Sequence, residues 1–360
     1  MPEVAHPTST AEVAEVMRDA AARGLTVVAR GRNTKPGWGL AVTPDLVVDL
    51  SGMDRVLDHQ AGDLIVDVQA GARLADVGAH VGTEGQRLAL DETVPGASIG
   101  GTVATNASGP QRMIAGTARD LLIGVTLVRA DGVVAKAGGR VVKNVAGYDL
   151  GKLVVGSYGT LAVVTEAVFR LHPEPEHRRW VSVEGDVPEL ARAVIGSQAV
   201  PWAVEVDGST LSVMIGGRPA GVAARVETVR ALIGGSVSDT APDGWGTYPW
   251  HPGETGLKVT FALSGLREVL AALADAGARV RGSAGVGVVY AALDVPDALP
   301  RLREVAAAHG GTVVVVDAPD DVRSSVDVWG PVPALALMRR VKEQFDPDRR
   351  LAPGRFVGGI

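Results

Sequence analysis

The chain has 360 residues, a formal net charge of −6 and no cysteine. This acidic balance gives no long-range attraction for nucleic acid or an anionic membrane. The lack of cysteine excludes disulfides, zinc–thiolate sites, iron–sulfur ligation and a cysteinyl-linked cofactor within this chain. Apolar residues make up 46% of the sequence, so a substantial core is expected, and the length predicts two domains.

The first residues predict an amphipathic helix and not a secretory signal. Ser9 and Glu12 form a capping box, and apolar residues then repeat at helical spacing over residues 10–23 until Gly24. No uninterrupted apolar run of roughly 18 residues follows, which predicts no membrane span. The expected location is cytoplasmic, with any attachment to the inner face of the membrane made through partners.

The next part of the chain alternates short strands with helices. β-Branched runs predict strands at 26–30, 46–50, 64–68, 121–129, 133–135 and 160–171, with a helix at 74–81. Prolines at 173 and 175 indicate a linker over 172–177. Two similar blocks follow, 180–230 and 257–316, whose Ala-rich helices predict a small antiparallel sheet backed by helices, and a last helix is predicted over 332–345.

The strand that ends at Arg30 runs directly into Gly31-Arg32-Asn33-Thr34-Lys35. A loop of this kind can turn consecutive backbone N–H groups toward one point, and Lys35 or Arg32 adds positive charge. A diphosphate is its natural ligand, although a Gly-rich stretch after a strand is also compatible with a simple turn. No Gly-x-Gly-x-x-Gly follows this strand, which removes the main support for a Rossmann-type dinucleotide fold.

Residues 94–109 form a second segment, VPGASIGGTVATNASG, in which almost every side chain is small. Such a stretch lets a ligand lie directly against the backbone. Gly100-Gly101 can also open a short helix whose N-terminus favours a phosphate or a flavin carbonyl. A glycine-rich packing seam is the alternative interpretation.

Taken in order, these motifs resemble the FAD domain of the PCMH-type, vanillyl-alcohol-oxidase family of FAD-linked oxidases. The resemblance rests on Arg-Gly-x-x-Thr after a strand, the Pro-Gly-x-Ser-Ile-Gly-Gly-x-x-Ala-x-Asn-x-x-Gly run, and Arg119-Asp120 before a strand. Residues 139–165, 327–331 and 345–359 are similar to the FAD-binding E subunit of bacterial glycolate oxidases. The resemblance implies an α+β fold with two domains. A two-subdomain FAD-binding domain is expected at 1–175, completed by the tail 326–360, and a reduced cap, or substrate, domain of antiparallel sheet and helices is expected at 176–325.

The resemblance also implies which residues bind FAD. They are Arg30, Gly31, Arg32, Asn33, Thr34, Lys35, Pro95, Gly96, Ser98, Ile99, Gly100, Gly101, Thr102, Asn106, Gly109, Lys143, Gly159, Val163 and Arg355. Many relatives link the flavin to a His where this chain has Asn33-Thr34, so the FAD is expected to be non-covalent. Ala352 stands where Asn usually precedes Pro-Gly, which predicts one polar contact fewer beside the flavin.

Three further residues leave alternatives open. Lys143 either supplies positive charge toward the flavin or its phosphates, or is solvated. In the second interpretation Tyr148 fills core and Asp149 lies near a helix start.

The resemblance implies oxidation of a 2-hydroxy acid, glycolate or D-lactate, by hydride transfer to FAD, with electrons passing to an iron–sulfur partner beside a larger homologous FAD subunit. This chemistry needs a cation for the carboxylate and a base for the hydroxyl. Tyr248, His251 and Lys258 are the candidates, although a lone loop histidine is often plain surface. The histidines show no metal-ligand spacing, so no metal site is predicted. The alternatives are a non-catalytic flavin-binding subunit for electron transfer or assembly, and a stand-alone dehydrogenase of another alcohol or lactone.

Overall fold

The computed structural model describes residues 1–140, 148–294 and 296–360. Its strands in chain order are β1 Glu3–Ala5, β2 Val27–Arg30, β3 Leu46–Asp49, β4 Val56–Gln60, β5 Ile65–Gln69, β6 Gln86–Arg87, β7 Leu122–Val128, β8 Val134–Gly138, β9 Val163–Arg170, β10 His172–Pro173, β11 His177–Glu184, β12 Ala203–Asp207, β13 Thr210–Gly217, β14 Ser236–Ser238, β15 Thr255–Thr260, β16 Arg279–Ser283, β17 Val288–Leu293 and β18 Thr312–Asp317. Its α-helices are α1 Thr10–Arg23, α2 Leu74–Gly82, α3 Ile99–Thr105, α4 Arg112–Ala115, α5 Ala118–Leu121, α6 Leu150–Val154, α7 Val187–Ile195, α8 Pro219–Ile233, α9 Leu266–Asp275, α10 Leu299–Ala308, α11 Asp320–Ser325 and α12 Leu335–Phe345. The α+β prediction is therefore confirmed.

The described residues fall into two compact units. Unit 1 comprises those of 1–108, 116–174 and 332–360, and unit 2 comprises those of 109–115 and 175–331. Residues 109–115 were predicted to belong to the first domain, whereas the structure groups this short segment with unit 2.

Unit 1 contains two main sheets. Strands β1, β3 and β2 pair in parallel in that order, and β4-β5-β9-β7-β8 form an antiparallel sheet. Helix α1 starts where the side chain of Ser9 accepts a hydrogen bond from the Glu12 amide, and it ends at Gly24, whose φ of 70° is in the left-handed region. Val13 and Met17 on its apolar face are fully buried, as the helical spacing predicted. Only half of the predicted capping box forms, because the Glu12 carboxylate accepts from the Thr8 amide instead of the Ser9 amide.

Unit 2 is built around one antiparallel sheet in the order β14-β11-β13-β12-β16-β17-β15-β18. The two halves of the unit have the same βαββαβ order of elements, β11-α7-β12-β13-α8-β14 and β15-α9-β16-β17-α10-β18. Each half orders its own strands fourth-first-third-second, the arrangement of a split βαβ motif. The halves join where β12 pairs with β16, which makes a single sheet larger than the small one predicted.

Several details differ from the sequence prediction. The strand expected from residue 160 begins at Val163, and the predicted linker begins with His172 and Pro173, which pair with β6. Tyr148 is 93% exposed and does not fill core, whereas Asp149 caps α6 by accepting from the Lys152 amide. Within the described ranges, no helix is both long and apolar enough to cross a membrane.

The last helix begins three residues later than predicted, at Leu335. Its Leu337 is 54% exposed, while Lys342 is buried. This lysine is buried because its ammonium group finds hydrogen-bond acceptors inside unit 1, a condition that apolar periodicity does not register.

Candidate functional site

Unit 1 contains a cavity of about 320 Å³, within the range of small-molecule sites. Its wall is assembled from the end of β2 and the loop after it, from α3, from the turn before β9, and from the C-terminal tail. The lining residues are Val28, Ala29, Arg30, Gly31, Arg32, Asn33, Thr34, Lys35, Pro36, Trp38, Val42, Pro44, Val47, Leu50, Ala70, Ser98, Gly100, Gly101, Ala104, Thr105, Ser157, Tyr158, Gly159, Ala162, Val164 and Arg355.

The loop after β2 presents backbone donors to this cavity. Asn33 has a φ of 54°, in the left-handed region, and such a residue lets successive backbone N–H groups converge. The amides of residues 31–35 donate no hydrogen bond to any described residue. Because residues 31–35 line the cavity, their amides are available to a ligand that supplies hydrogen-bond acceptors.

The three cations of this segment differ in what they contact. Arg30 forms an ion pair with Asp49 at 2.6 Å. Arg32 donates from Nε to the carbonyl of Gly71 at 2.9 Å and pairs with Asp54 at 3.1 Å. The charges of both arginines are therefore already balanced within the protein.

Lys35 is the exception among these cations. Its Nζ is buried and has no hydrogen-bond partner among the described residues, and it lies 5.8 Å from the centre of the Trp38 ring. Burial lowers the pKa of Lys35 to about 8, although the charge of Glu92 acts in the opposite direction. A buried ammonium group without an acceptor is costly, and an anion in the cavity would relieve that cost.

The small-residue segment forms the opposite wall through close packing. A Cβ atom on Gly31 would lie 2.2 Å from Ser98 Oγ, and one on Gly100 would lie 2.9 Å from the Ala70 Cβ. Glycine at both positions therefore lets the loop after β2, α3 and β5 approach one another. This packing is the second of the two interpretations considered from the sequence, and it coexists with the cavity.

The predicted role of the α3 N-terminus as a phosphate donor is not supported by the hydrogen bonds. The amides of Ile99 and Gly100 donate to the carbonyls of Ala72 and Ala70, at 2.9 and 2.7 Å. The Gly101 amide donates to Ser98 Oγ at 3.2 Å. Helix α3 therefore contributes surface to the cavity, while the free donors come from the loop after β2.

The turn at 157–159 completes the wall and was only partly foreseen. Gly159 was predicted, but Tyr158 was not, although it lines the cavity. Tyr158 has a φ of 57°, and its ring stacks on Phe356 with centroids 5.5 Å apart. Gly156 and Gly159 in the sequence indicate a tight turn. They do not indicate that the side chain of Tyr158 would line the cavity.

The structure brings together many of the predicted cofactor residues. Those lining the cavity are Arg30, Gly31, Arg32, Asn33, Thr34, Lys35, Ser98, Gly100, Gly101, Gly159 and Arg355. Pro95, Gly96, Ile99, Thr102, Asn106 and Val163 belong to unit 1 but do not line it, and Gly109 belongs to unit 2. Lys143 lies outside the described residues. Direct contact of each residue with FAD stays a prediction.

The three predicted catalytic residues all belong to unit 2. Tyr248 stacks on Trp250 with ring centroids 4.5 Å apart, and Lys258 lies on β15 directly opposite Tyr290 on β17. His251 is exposed, and its amide donates to Glu254 Oε2 at 2.7 Å. Tyr248 and Lys258 are thus grouped around Tyr290, a residue that the sequence analysis did not single out.

Comparison with known proteins gives a family match for part of the chain. A model of the FAD binding domain family matches residues 2–138. These residues include the loop after β2 and helix α3, which form most of the cavity wall. FAD is therefore the cofactor, as predicted, and the non-covalent attachment stays a prediction.

Two relatives share part of this sequence. The glycolate oxidase subunit GlcD of Bacillus subtilis is 32% identical over 222 residues, which cover 59% of this chain and 47% of that protein. The glycolate oxidase subunit GlcE of Escherichia coli is 34% identical over 143 residues, which cover 39% of each chain. The matched part thus spans less than half the length of either relative.

A solved structure supports the fold over nearly the whole chain. Alkyldihydroxyacetonephosphate synthase superposes with a TM-score of 0.69, covering 98% of this chain and 77% of the other, at 16% identity. The predicted two-part FAD-binding fold with an added antiparallel sheet and helices is confirmed. Identity at this level carries no information about substrate.

Proposed function

We propose that this chain is an FAD-linked oxidoreductase that oxidises a 2-hydroxy acid, glycolate or D-lactate, as a flavin subunit of a glycolate-oxidase-like complex. The observation that carries the proposal is the anion site of unit 1. There the Lys35 ammonium and five amides that donate to none of the described residues line one cavity, in a segment that matches an FAD binding domain. The names of the GlcD and GlcE relatives support the substrate class. A larger homologous flavin subunit and an iron–sulfur subunit complete the proposed complex.

The residues of this cavity fit the diphosphate of FAD. The amides of residues 31–35 supply hydrogen-bond donors, and Lys35 Nζ supplies a positive charge. The charges of Arg30 and Arg32 are already balanced by carboxylates of the protein. Gly31 and Gly100 keep the walls close, and Tyr158 offers an aromatic surface. When bound, FAD supplies a hydride acceptor for the α-carbon of the substrate.

Unit 2 is proposed as the substrate domain. Oxidation of a 2-hydroxy acid requires a group that holds the carboxylate and a group that takes the hydroxyl proton. Lys258 and Tyr248 are suited to the first and second tasks by their chemistry, and both are grouped with Tyr290. His251 is the weaker candidate for the base because its side chain is exposed on the surface of unit 2.

The cofactor is tested directly by colour. The purified chain is expected to be yellow, and acid precipitation should release the flavin to the supernatant if it is non-covalent. Lys35→Met should raise the dissociation constant for FAD at least about thirtyfold, because removing one partner of a buried charge pair costs roughly 2 kcal/mol or more. Lys136→Met, which removes an exposed lysine of β8, is the matched control and should bind FAD normally.

The substrate class is tested by mixing the FAD-loaded chain with glycolate or D-lactate in the absence of oxygen. Bleaching of the flavin absorbance by the chain alone supports catalysis by this subunit. Bleaching only after partner subunits are added assigns the chain an electron-transfer or assembly role. No bleaching with these acids, but bleaching with another alcohol or a lactone, would contradict the proposed substrate.

A further inference from the structure

Arg112 of unit 2 is a half-buried arginine on α4 whose positive charge is not used by the site in unit 1. Its Nε donates to the Gly109 carbonyl at 3.1 Å, and its Nη2 donates to the Tyr290 hydroxyl at 2.8 Å. Its guanidinium carbon lies 5.7 Å from the centre of the Tyr290 ring. Across the described parts of the chain, Arg112 forms no ion pair with any carboxylate, unlike most half-buried arginines of this protein.

Aromatic rings fix the position of this guanidinium. Tyr290 is 8% exposed, and its ring packs against Tyr248 with centroids 4.6 Å apart. Tyr248 in turn stacks almost parallel on Trp250 at 4.5 Å. Rings held on two sides lose little freedom when a ligand binds, so the Tyr290 hydroxyl is a preorganised partner for Arg112.

The sheet adds a second cation beside Tyr290. Lys258 on β15 lies directly opposite Tyr290 on β17, so both side chains project from the same face. Leu257 and Val259, which alternate with Lys258, are buried on the other face. Glu205 and Ser283 pair with each other one row further along the face that carries Lys258.

The charge state of Arg112 suits an anion. Burial by itself lowers the pKa of the guanidinium, but the Tyr290 oxygen, with smaller effects of Tyr248 and Glu205, keeps it above its ordinary value. Two of the five N–H donors are used by Gly109 and Tyr290. The remaining donors include the Nη1 pair, which a carboxylate can engage together with Nη2 in a two-point contact.

We propose that Arg112, oriented by Tyr290, binds the carboxylate of a small hydroxy acid on the face of the unit 2 sheet that carries Lys258. This assignment rests on the proposed function for its substrate class and names the specificity residues of that reaction. A planar, two-point arginine contact selects a carboxylate over a neutral alcohol of the same size. Lys258 strengthens the positive potential of the same face.

Oxalate tests the site without catalysis, because it has two carboxylates and no α-hydrogen to lose. Calorimetric titration of the FAD-loaded chain should detect oxalate binding, and Arg112→Met should weaken it about thirtyfold or more. Arg112→Lys should restore only part of the affinity, since an ammonium group cannot make the two-point contact. Tyr290→Phe should weaken binding about tenfold by releasing the guanidinium from its partner.

Arg301→Met is the matched control, because Arg301 is an exposed arginine on α10 of the same unit and pairs with the exposed Glu304. It should bind oxalate like the parent chain. A normal flavin spectrum and an unchanged thermal midpoint in each variant show that a loss of binding is not a loss of fold.

The outcomes separate this inference from the proposed function. Oxalate binding that depends on Arg112, in a chain whose flavin no 2-hydroxy acid bleaches, supports the site and contradicts the function. Bleaching by glycolate or D-lactate with the same KM in Arg112→Met and the parent chain overturns the site and leaves the function standing. Failure of the parent chain to bind oxalate also overturns the site.

Discussion

At the scale of single residues, the charge of Lys35 has a consequence for pH. Its pKa is lowered to about 8 by burial, with Glu92 opposing the shift, so the ammonium group begins to lose its proton just above neutrality. Only the protonated form attracts a diphosphate. We expect FAD affinity to be full below about pH 7, to be roughly halved at the pKa and to fall about tenfold per pH unit well above it, while apoprotein stability rises over the same range as the unpaired charge disappears.

The measurement is a fluorescence titration with FAD from pH 6.5 to 9.5. Bound diphosphate favours the charged lysine, so the fall in affinity continues until the higher pKa of the complex is passed. Lys35→Met should show weak affinity with no such slope, whereas Lys136→Met should follow the parent chain. An equal slope in Lys35→Met would assign the pH dependence to another group.

At the scale of elements, a buried ion pair fastens α12 and the C-terminal tail to unit 1. Lys342 and Asp346 are 2% and 0% exposed and lie 2.7 Å apart. Lys342 Nζ also donates to the carbonyls of Thr160 and Leu351, while Asp346 accepts from the amides of Arg350 and Leu351. Thr160 directly follows the cavity turn 157–159, so one ammonium group links the tail to that turn.

Lys342→Met should destabilise the protein by about 3–5 kcal/mol, because it leaves Asp346 buried without its cation. Urea unfolding followed by circular dichroism measures the change. The double variant Lys342→Met, Asp346→Asn should lose less than the sum of the two single losses, since the residues act on each other directly. Asp19→Asn, which breaks the exposed pair with Arg23, is the control and should leave the unfolding midpoint unchanged.

A second consequence of this pair concerns the cavity. Leu351 pairs with Val27, and the Leu40 amide donates to the Arg355 carbonyl at 3.0 Å, so the tail is attached to the strand and loop that carry the anion site. Loosening the tail should therefore weaken FAD binding in Lys342→Met even at temperatures where the variant is fully folded. FAD affinity equal to that of the parent chain would limit the pair to a role in stability.

The elements that the sequence predicted well are those whose signals are local. Helix α1 was predicted at its observed bounds because Ser9 caps the first turn and Gly24 follows the last. The burial of Lys342 on α12 could not be predicted, because a lysine is expected at the surface unless its ammonium group has acceptors in the interior. One of these acceptors is the carbonyl of Thr160, which is distant in the sequence. Likewise, Arg30, Arg32 and Lys35 are equivalent cations in the sequence, and only the positions of Asp49 and Asp54 show which of them is unpaired.

At the scale of the whole molecule, strand order was the main feature beyond the reach of sequence patterns. The two blocks of unit 2 were recognised as similar, but their fusion into one sheet depends on β12 pairing with β16, a contact between distant parts of the chain. The segment 109–115 shows the same limit. It follows directly on the small-residue run of the first domain, yet it carries Arg112 to Tyr290, a residue 178 positions away.

The junction of the two halves makes a prediction about the loop that connects them. Arg281 on β16 pairs with Asp207 on β12 at 2.8 Å, and its Nη1 donates to Thr247 Oγ1 of the loop at 2.8 Å. Arg281→Met removes both contacts, and a loss of roughly 1.4 kcal/mol in local stability would make the opened loop about ten times more populated. Limited proteolysis with a protease that does not cut at arginine should therefore cleave within 240–254 about tenfold faster in Arg281→Met than in the parent chain.

Arg301→Met is the control and should be cleaved at the parental rate. An unchanged rate in Arg281→Met would show that the aromatic contacts of Trp245 and Trp250 suffice to hold the loop.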